Sequence, residues 1–221
     1  MAETRVPNIR RIDKNKKKKI KLPVLNMLLV FACTFLLMIS TFIQIKIVHP
    51  IIPHDILSNN TLTNSDFWYK YVFIPQIPAV MFVTGLMGRK LGITSVIIYI
   101  LIGLFVAPIF AIGGGLRYIA EYGFGYILAY VPAVFLAGSI IKDEFSFKNI
   151  FKSVLVGVLV IHLIGVFYML FIAAIRHGGF EFIKGWILSQ TLLKIPYDYV
   201  IGVFAMTVAK YGNKYVNYLI R

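Results

Sequence analysis

Two charged residues stand four positions apart in an otherwise apolar stretch, SQTLLKIPYDYVIGVFAM: Lys194 and Asp198. Charges in the interior of an apolar bundle are costly to insert, so their retention calls for a reason. On a continuous helix the two share a face and can pair. Alternatively, Pro196 opens a helix and Asp198 occupies its first turn, favoured by the helix dipole. In either case a carboxylate aimed into a cavity can accept N–H donors from a bound solute. Gln76 lies between Pro75 and Pro78 in YVFIPQIPAV. Prolines there free backbone groups that persist at membrane depth only where protein or a cavity satisfies them, although a simple kink also explains them. The segment Gly113–Tyr126, GGGLRYIAEYGFGY, adds three glycines, Arg117, Glu121 and the tyrosines 118, 122 and 126. A plain turn closed by an Arg117–Glu121 pair is the simpler reading of that segment. His162 sits deep in another apolar run, where it either bonds a neighbouring helix as a neutral imidazole or relays protons.

The elements that must carry these groups are membrane helices. The chain is 59% hydrophobic and 14% charged, with a mean hydropathy of +0.80, too little polar surface to cover a soluble globule. A hydrocarbon core of about 30 Å needs roughly 20 apolar residues in a helix. Leu22–Ile45, Tyr71–Gly88, Leu91–Leu116, Tyr122–Ile141 and Ser153–Ile175 each lack Lys, Arg, Asp and Glu, and a sixth run, Gly185–Ala209, is interrupted by Lys194 and Asp198. The expected fold is therefore an all-α integral membrane protein with six transmembrane helices over residues 22–221, after a basic cytoplasmic tail at 1–21. Most of the 23 Lys and Arg then fall on one side, which the positive-inside rule makes cytoplasmic, with both termini inside. The polar stretch Val48–Lys70 is expected as a loop. The first apolar run is about twice as long as a signal-peptide core and no small-x-small site follows it, so it is expected to be retained. Ala133/Ala137 and Ala205/Ala209 are small-residue steps that let helices approach closely.

Several functions are disfavoured. The net charge of +14 is explained by topology and the tail rather than by nucleic acid binding. Cys33 is the single cysteine, so no disulfide framework exists. No phosphate-binding G-x-x-x-x-G-K-[ST], zinc-binding H-E-x-x-H or nucleophile G-x-S-x-G motif occurs, and the four histidines have no ligand-like spacing. The chain reads as a non-enzyme without metal or cofactor, resident in the plasma (inner) membrane.

The run IPQIPAVMFVTGLMGRKLG followed by YILIGLFVAPIFAIGGGLRYIAEYGFGYILAYVPAVFLAG resembles the BioY family, the biotin-specific substrate-capture (S) components of energy-coupling-factor (ECF) transporters. The likeness is strongest over Phe73–Gly138 and extends to the remaining helices by topology. It implies an S-component-like bundle whose Gly113–Tyr126 loop lines a biotin pocket. It also implies high-affinity biotin uptake together with a transmembrane scaffold subunit and two ATPase subunits. Biotin presents a cyclic urea, an apolar thioether ring and a carboxylate. Asp198 and Gln76 suit the urea, and Tyr118, Tyr122, Phe124 and Tyr126 the ring. Arg117 or Lys194 suits the acid, while Gly113, Gly114 and Gly115 let backbone N–H groups approach the ligand. The family's Pro-Gly-Asp with Lys three residues later appears here as Pro196-Tyr197-Asp198 with Ile201, so Lys194 or Arg117 is expected to supply the cation. A stand-alone facilitator, or a capture subunit for another vitamin, is the competing reading.

Overall fold

The computed structural model describes residues 23–50, 63, 67–141 and 146–220. The expected basic tail at 1–21 lies outside them, as does most of the polar stretch after His49. Helix α1 spans Pro23–Phe42. It leads into strand β1, Ile45–Pro50, which pairs antiparallel with β2, Trp68–Phe73, in a register running from Ile45↔Phe73 to Pro50↔Trp68. The ends of the expected Val48–Lys70 loop, and the start of the helix expected from Tyr71, are thus a hairpin. IKIVHP and WYKYVF are rich in β-branched and aromatic residues that fit a pleated surface. Helix α2 covers Gln76–Phe105, and a 3-10 turn covers Leu116–Ala120. Then come α3 Phe124–Leu128, α4 Tyr130–Ile140, α5 Phe147–Ile175, α6 Phe180–Trp186, a π-helical turn Ile187–Leu192, and α7 Ile195–Ile220.

The bundle is all-α, but the expectation of six transmembrane helices is overturned. Among the described residues four helices are long and apolar enough to cross a membrane: Val24–Phe42, Gln76–Phe105, Phe147–Ile175 and Phe180–Lys214. The chain is accordingly a multi-pass membrane protein. The expected second and third spans fall within the one element α2. Only Gly88 leaves helical geometry there, at φ 67° and ψ −169°, a conformation that glycine adopts without a Cβ clash. Across this break the two arms touch: a Cβ placed on Gly92 would lie 3.8 Å from the Val83 carbonyl oxygen. The expected fourth span is a shorter apolar helix, Phe124–Ile140, divided at Ala129 into α3 and α4. A run of apolar letters reports composition and does not register where the backbone turns within it.

Helix α2 packs against α1, α4 and α7, and α5 packs against α3, α4 and α7. Their shared core includes Leu37, Val80, Met81, Val83, Val96, Val154, Ile161 and Met206. Large apolar side chains such as Phe35, Phe167, Val200 and Phe204 remain exposed on the outside, as lipid contact requires. Within the bundle, the hydroxyls of Thr34, Ser40, Thr41 and Thr84 each donate to a carbonyl about one turn earlier. Hydrocarbon offers them no other partner.

Candidate functional site

The polar residues inside this apolar bundle form two groups. The first hangs on the start of α2. Gln76, buried just after the Pro75 turn, donates from Nε2 to Thr41 Oγ1 at 3.1 Å and to the Tyr99 hydroxyl, which itself lies 3.2 Å from Thr41 Oγ1. The Gln76 amide therefore ties α1 to both arms of α2. Tyr99 continues into a chain of rings: Phe110 at 5.6 Å between centroids, then Tyr118 at 4.8 Å and Phe124 at 6.2 Å from Tyr118. Tyr118 is buried within this stack. Burial pushes its phenol up to about 12, with the Glu121 carboxylate adding to the rise and the Ile112 backbone N–H opposing it.

The second group lies where α5 meets α7. Asp198, 1% exposed, sits in the first turn of α7, and its backbone N–H donates to the Lys194 carbonyl at 2.9 Å. Its carboxylate Oδ2 is 3.1 Å from Nε2 of His162 on α5, itself only 2% exposed. Lys194 does not close an ion pair with Asp198; its Nζ donates to Gln190 Oε1 at 2.7 Å. The π-helical turn ends at Leu192, and Leu193–Lys194 form a turn that leads into α7; such π turns recur at functional sites. The Tyr126 hydroxyl lies 2.7 Å from Thr191 Oγ1 in that π turn, and its ring meets His162 edge-on at 5.8 Å. Gly165 makes this approach possible, since any Cβ there would collide with the Tyr126 ring. His162 Nδ1 is buried without a hydrogen-bond partner among the described residues, and unpaired buried polar atoms are rare in native interiors. Tyr130, fully buried on α4, is an electrostatic neighbour of Tyr99, Tyr118 and Asp198, and so stands between the two groups.

The remaining expected site residues are placed differently. Gly113 and Gly115 both take positive φ, 133° and 80°. Their amides are engaged within the protein, Gly113 N–H with the Phe110 carbonyl and Gly115 N–H with the Gly103 carbonyl at 2.8 Å. Gly114 is pressed against Pro108 and the Gly103 carbonyl, where a Cβ would come within 2.7 Å of that oxygen. These glycines dock the loop on the end of α2. Arg117 is exposed, and Glu121 pairs with Arg176 at 3.7 Å rather than with Arg117. Arg176 also sits over the Tyr122 ring at 5.3 Å, and Tyr122 packs on Phe182 and Trp186 at 4.7 and 5.6 Å. Tyr122, in the turn before α3, thus packs against α6 beside the second group. Beside it Tyr71 from β2 contacts the Tyr197 ring at 6.1 Å, its phenol raised by burial first and by Tyr197 and Asp198 next. His162 was visible in the sequence as an isolated deep histidine, but nothing there pointed to Asp198 as its partner. Thr41, Tyr99, Tyr130 and Thr191 carried no sequence signal, because single hydroxyls in apolar runs are common.

A separate groove of about 470 Å³, lined by apolar side chains of α1, α2 and α7 including Phe35, Ile39, Pro78 and Phe82, lies on the outer face. Its walls lack the charged groups just described, so the polar constellation defines the candidate site better than groove volume does. No group of three or more His, Cys, Asp or Glu among the described residues could hold a metal. What the arrangement can do is recognise hydrogen-bonding groups: a carboxylate held by an imidazole, a lysine one turn away, and the Tyr126 ring against that imidazole.

A model of the BioY family matches residues 14–218. The chain is 30% identical to a probable biotin transporter BioY of Lysinibacillus sphaericus over 99 residues, covering 44% of this chain and 50% of that protein. It is 34% identical to a probable biotin transporter BioY of Pyrococcus horikoshii over 125 residues, covering 56% of this chain and 69% of that one. The matched stretch thus spans half the length of the first relative and about two thirds of the second. In fold, the chain is similar to the crystal structure of an S-component for biotin from an ECF-type ABC transporter. The TM-score is 0.64 at 20% identity, over 87% of this chain and 92% of that one.

Proposed function

Because this chain belongs to the BioY family, we propose that it captures biotin with high affinity as the S-component of an ECF-type ABC transporter. The observation that carries the proposal is Asp198, a carboxylate 1% exposed inside an apolar membrane bundle. Among the described residues, His162 is the side chain that holds it, on Oδ2. Dehydrating such a group costs several kcal/mol, and a ligand whose N–H donors meet it offsets that cost. The cyclic urea of biotin supplies two such donors. Lys194, one turn before Asp198, suits the valerate carboxylate, and Tyr126 and Tyr122 suit the walls around the thioether ring. Gln76 and Tyr118 support this pocket from the first group, by fixing the start of α2 and the loop above it. Gly114 and Gly115 act the same way, by anchoring the loop, and Arg117 is left as a second cation near the entrance.

In this reading the chain performs no chemistry on the solute. Uphill uptake draws on a transmembrane scaffold subunit and two ATPase subunits. The test is calorimetric titration of the purified protein in detergent with biotin, thiamine and riboflavin. Saturable binding of biotin alone is the expected result. Binding of thiamine or riboflavin in preference to biotin would overturn the ligand assignment. Equilibration of biotin by the chain alone in ATP-free liposomes would instead favour a facilitator.

A further inference from the structure

We propose that His162 is the positioning residue for Asp198, holding one carboxylate oxygen so that the other faces the ligand. The inference rests on the biotin reading above. Two side chains that are each almost wholly buried meet across α5 and α7 at 3.1 Å, Nε2 to Oδ2. An ionised carboxylate only accepts hydrogen bonds, so Nε2 is the protonated nitrogen. In the neutral imidazole Nδ1 is then a bare acceptor, which matches its lack of a donor among the described residues. Asp198 takes no other side-chain hydrogen bond from a described residue, so Oδ1 is the oxygen left for an incoming N–H. The Lys194 ammonium donates to Gln190 and forms no ion pair with Asp198 among the described residues.

The imidazole is itself fixed. The Tyr126 ring packs edge-on against it at 5.8 Å, Tyr126 is anchored through Thr191, and Gly165 provides the space. A carboxylate on a two-bond side chain has several orientations about its terminal torsion. A donor locked on Oδ2 selects one of them before the ligand arrives, and binding then loses less conformational freedom.

The experiment measures biotin affinity by titration calorimetry on the full chain in detergent, with thermal melting as the check of folding. The proteins are wild type, His162→Leu, His162→Gln, Asp198→Asn and the double variant His162→Leu/Asp198→Asn. Loss of a hydrogen bond to a charged group predicts that His162→Leu weakens biotin binding by about 10- to 100-fold. His162→Gln, whose amide reaches the same place as Nε2, retains most of the affinity. In the Asp198→Asn background the leucine substitution costs less than about two-fold, because its effect passes through the carboxylate.

Wild-type affinity in His162→Leu would overturn the inference, as would an equal loss in both backgrounds. So would a well-folded His162→Gln that binds as weakly as the leucine variant. Should His162→Leu fail to fold, His162→Gln is compared with His162→Asn, whose shorter amide stops at the place of Nδ1. Equal binding by those two would overturn the inference. Absence of biotin binding by wild type would overturn the biotin reading and this inference together, whereas wild-type binding that His162→Leu leaves intact overturns the inference alone.

Discussion

Replacing Lys194 by Met separates recognition of the ligand's acid from recognition of its urea. The side chain is part-buried, with Nζ 2.7 Å from Gln190 Oε1, and Met keeps its length and apolar stem while removing the ammonium. The Lys194 carbonyl still accepts the Asp198 N–H that begins α7, so the substitution leaves the backbone at the bend intact. A hydrogen bond to a charged group contributes about 1.5–3 kcal/mol, which is about 10- to 150-fold in Kd. Titration calorimetry with biotin and with its uncharged amide reads the two effects apart. Biotin is expected to lose that full factor. The amide is expected to lose only the share that arises because Asp198 has lost a cation one turn away, about two- to three-fold for a partly screened charge. Equal losses for acid and amide would refute the assignment of Lys194 to the carboxylate.

Two further predictions concern the scaffold of the site. Tyr99→Phe removes the hydroxyl shared by Gln76 and Thr41 and should cost about 1–2 kcal/mol of stability; a thermal melt in detergent matching wild type would show that this network is not structural. Gly88→Ala places a Cβ at φ 67° and ψ −169°, where open space leaves backbone strain as the only penalty. That strain is about 1–3 kcal/mol, so melting should fall while biotin affinity holds, and an unchanged melt would mean that the Gly88 backbone is not held in this conformation.

Apolar runs showed where membrane helices lie, and the costly pair Lys194 and Asp198 marked where polar chemistry survives among them. The number of spanning helices was not legible, because it depends on backbone dihedrals at single residues. The break at Gly88 coincided with the charged pair Arg89-Lys90, whereas Ala129 divides α3 from α4 although alanine favours helices. The β1–β2 hairpin was hidden because its ends flank a polar stretch that reads as loop. At the site, Asp198 in a first helical turn was one of the two readings open from Pro196. Its partner was not legible, because His162 lies 36 residues away and helix spacing rules relate only neighbours three or four apart. The glycine run stood out in the sequence, yet close contact between backbones explains it at least as well as contact with a ligand: Gly115 N–H is already bonded to Gly103.

The central claim is that a dehydrated carboxylate inside the bundle is kept for a ligand's N–H groups, and Asp198→Asn tests it most directly. Asparagine preserves the shape, but it removes the charge and replaces one acceptor oxygen with a donor. Biotin titration of the two purified proteins should show saturable binding by wild type and a loss of about 100-fold or more in the variant. Equal affinity in both proteins would contradict the claim and remove Asp198 from the binding site.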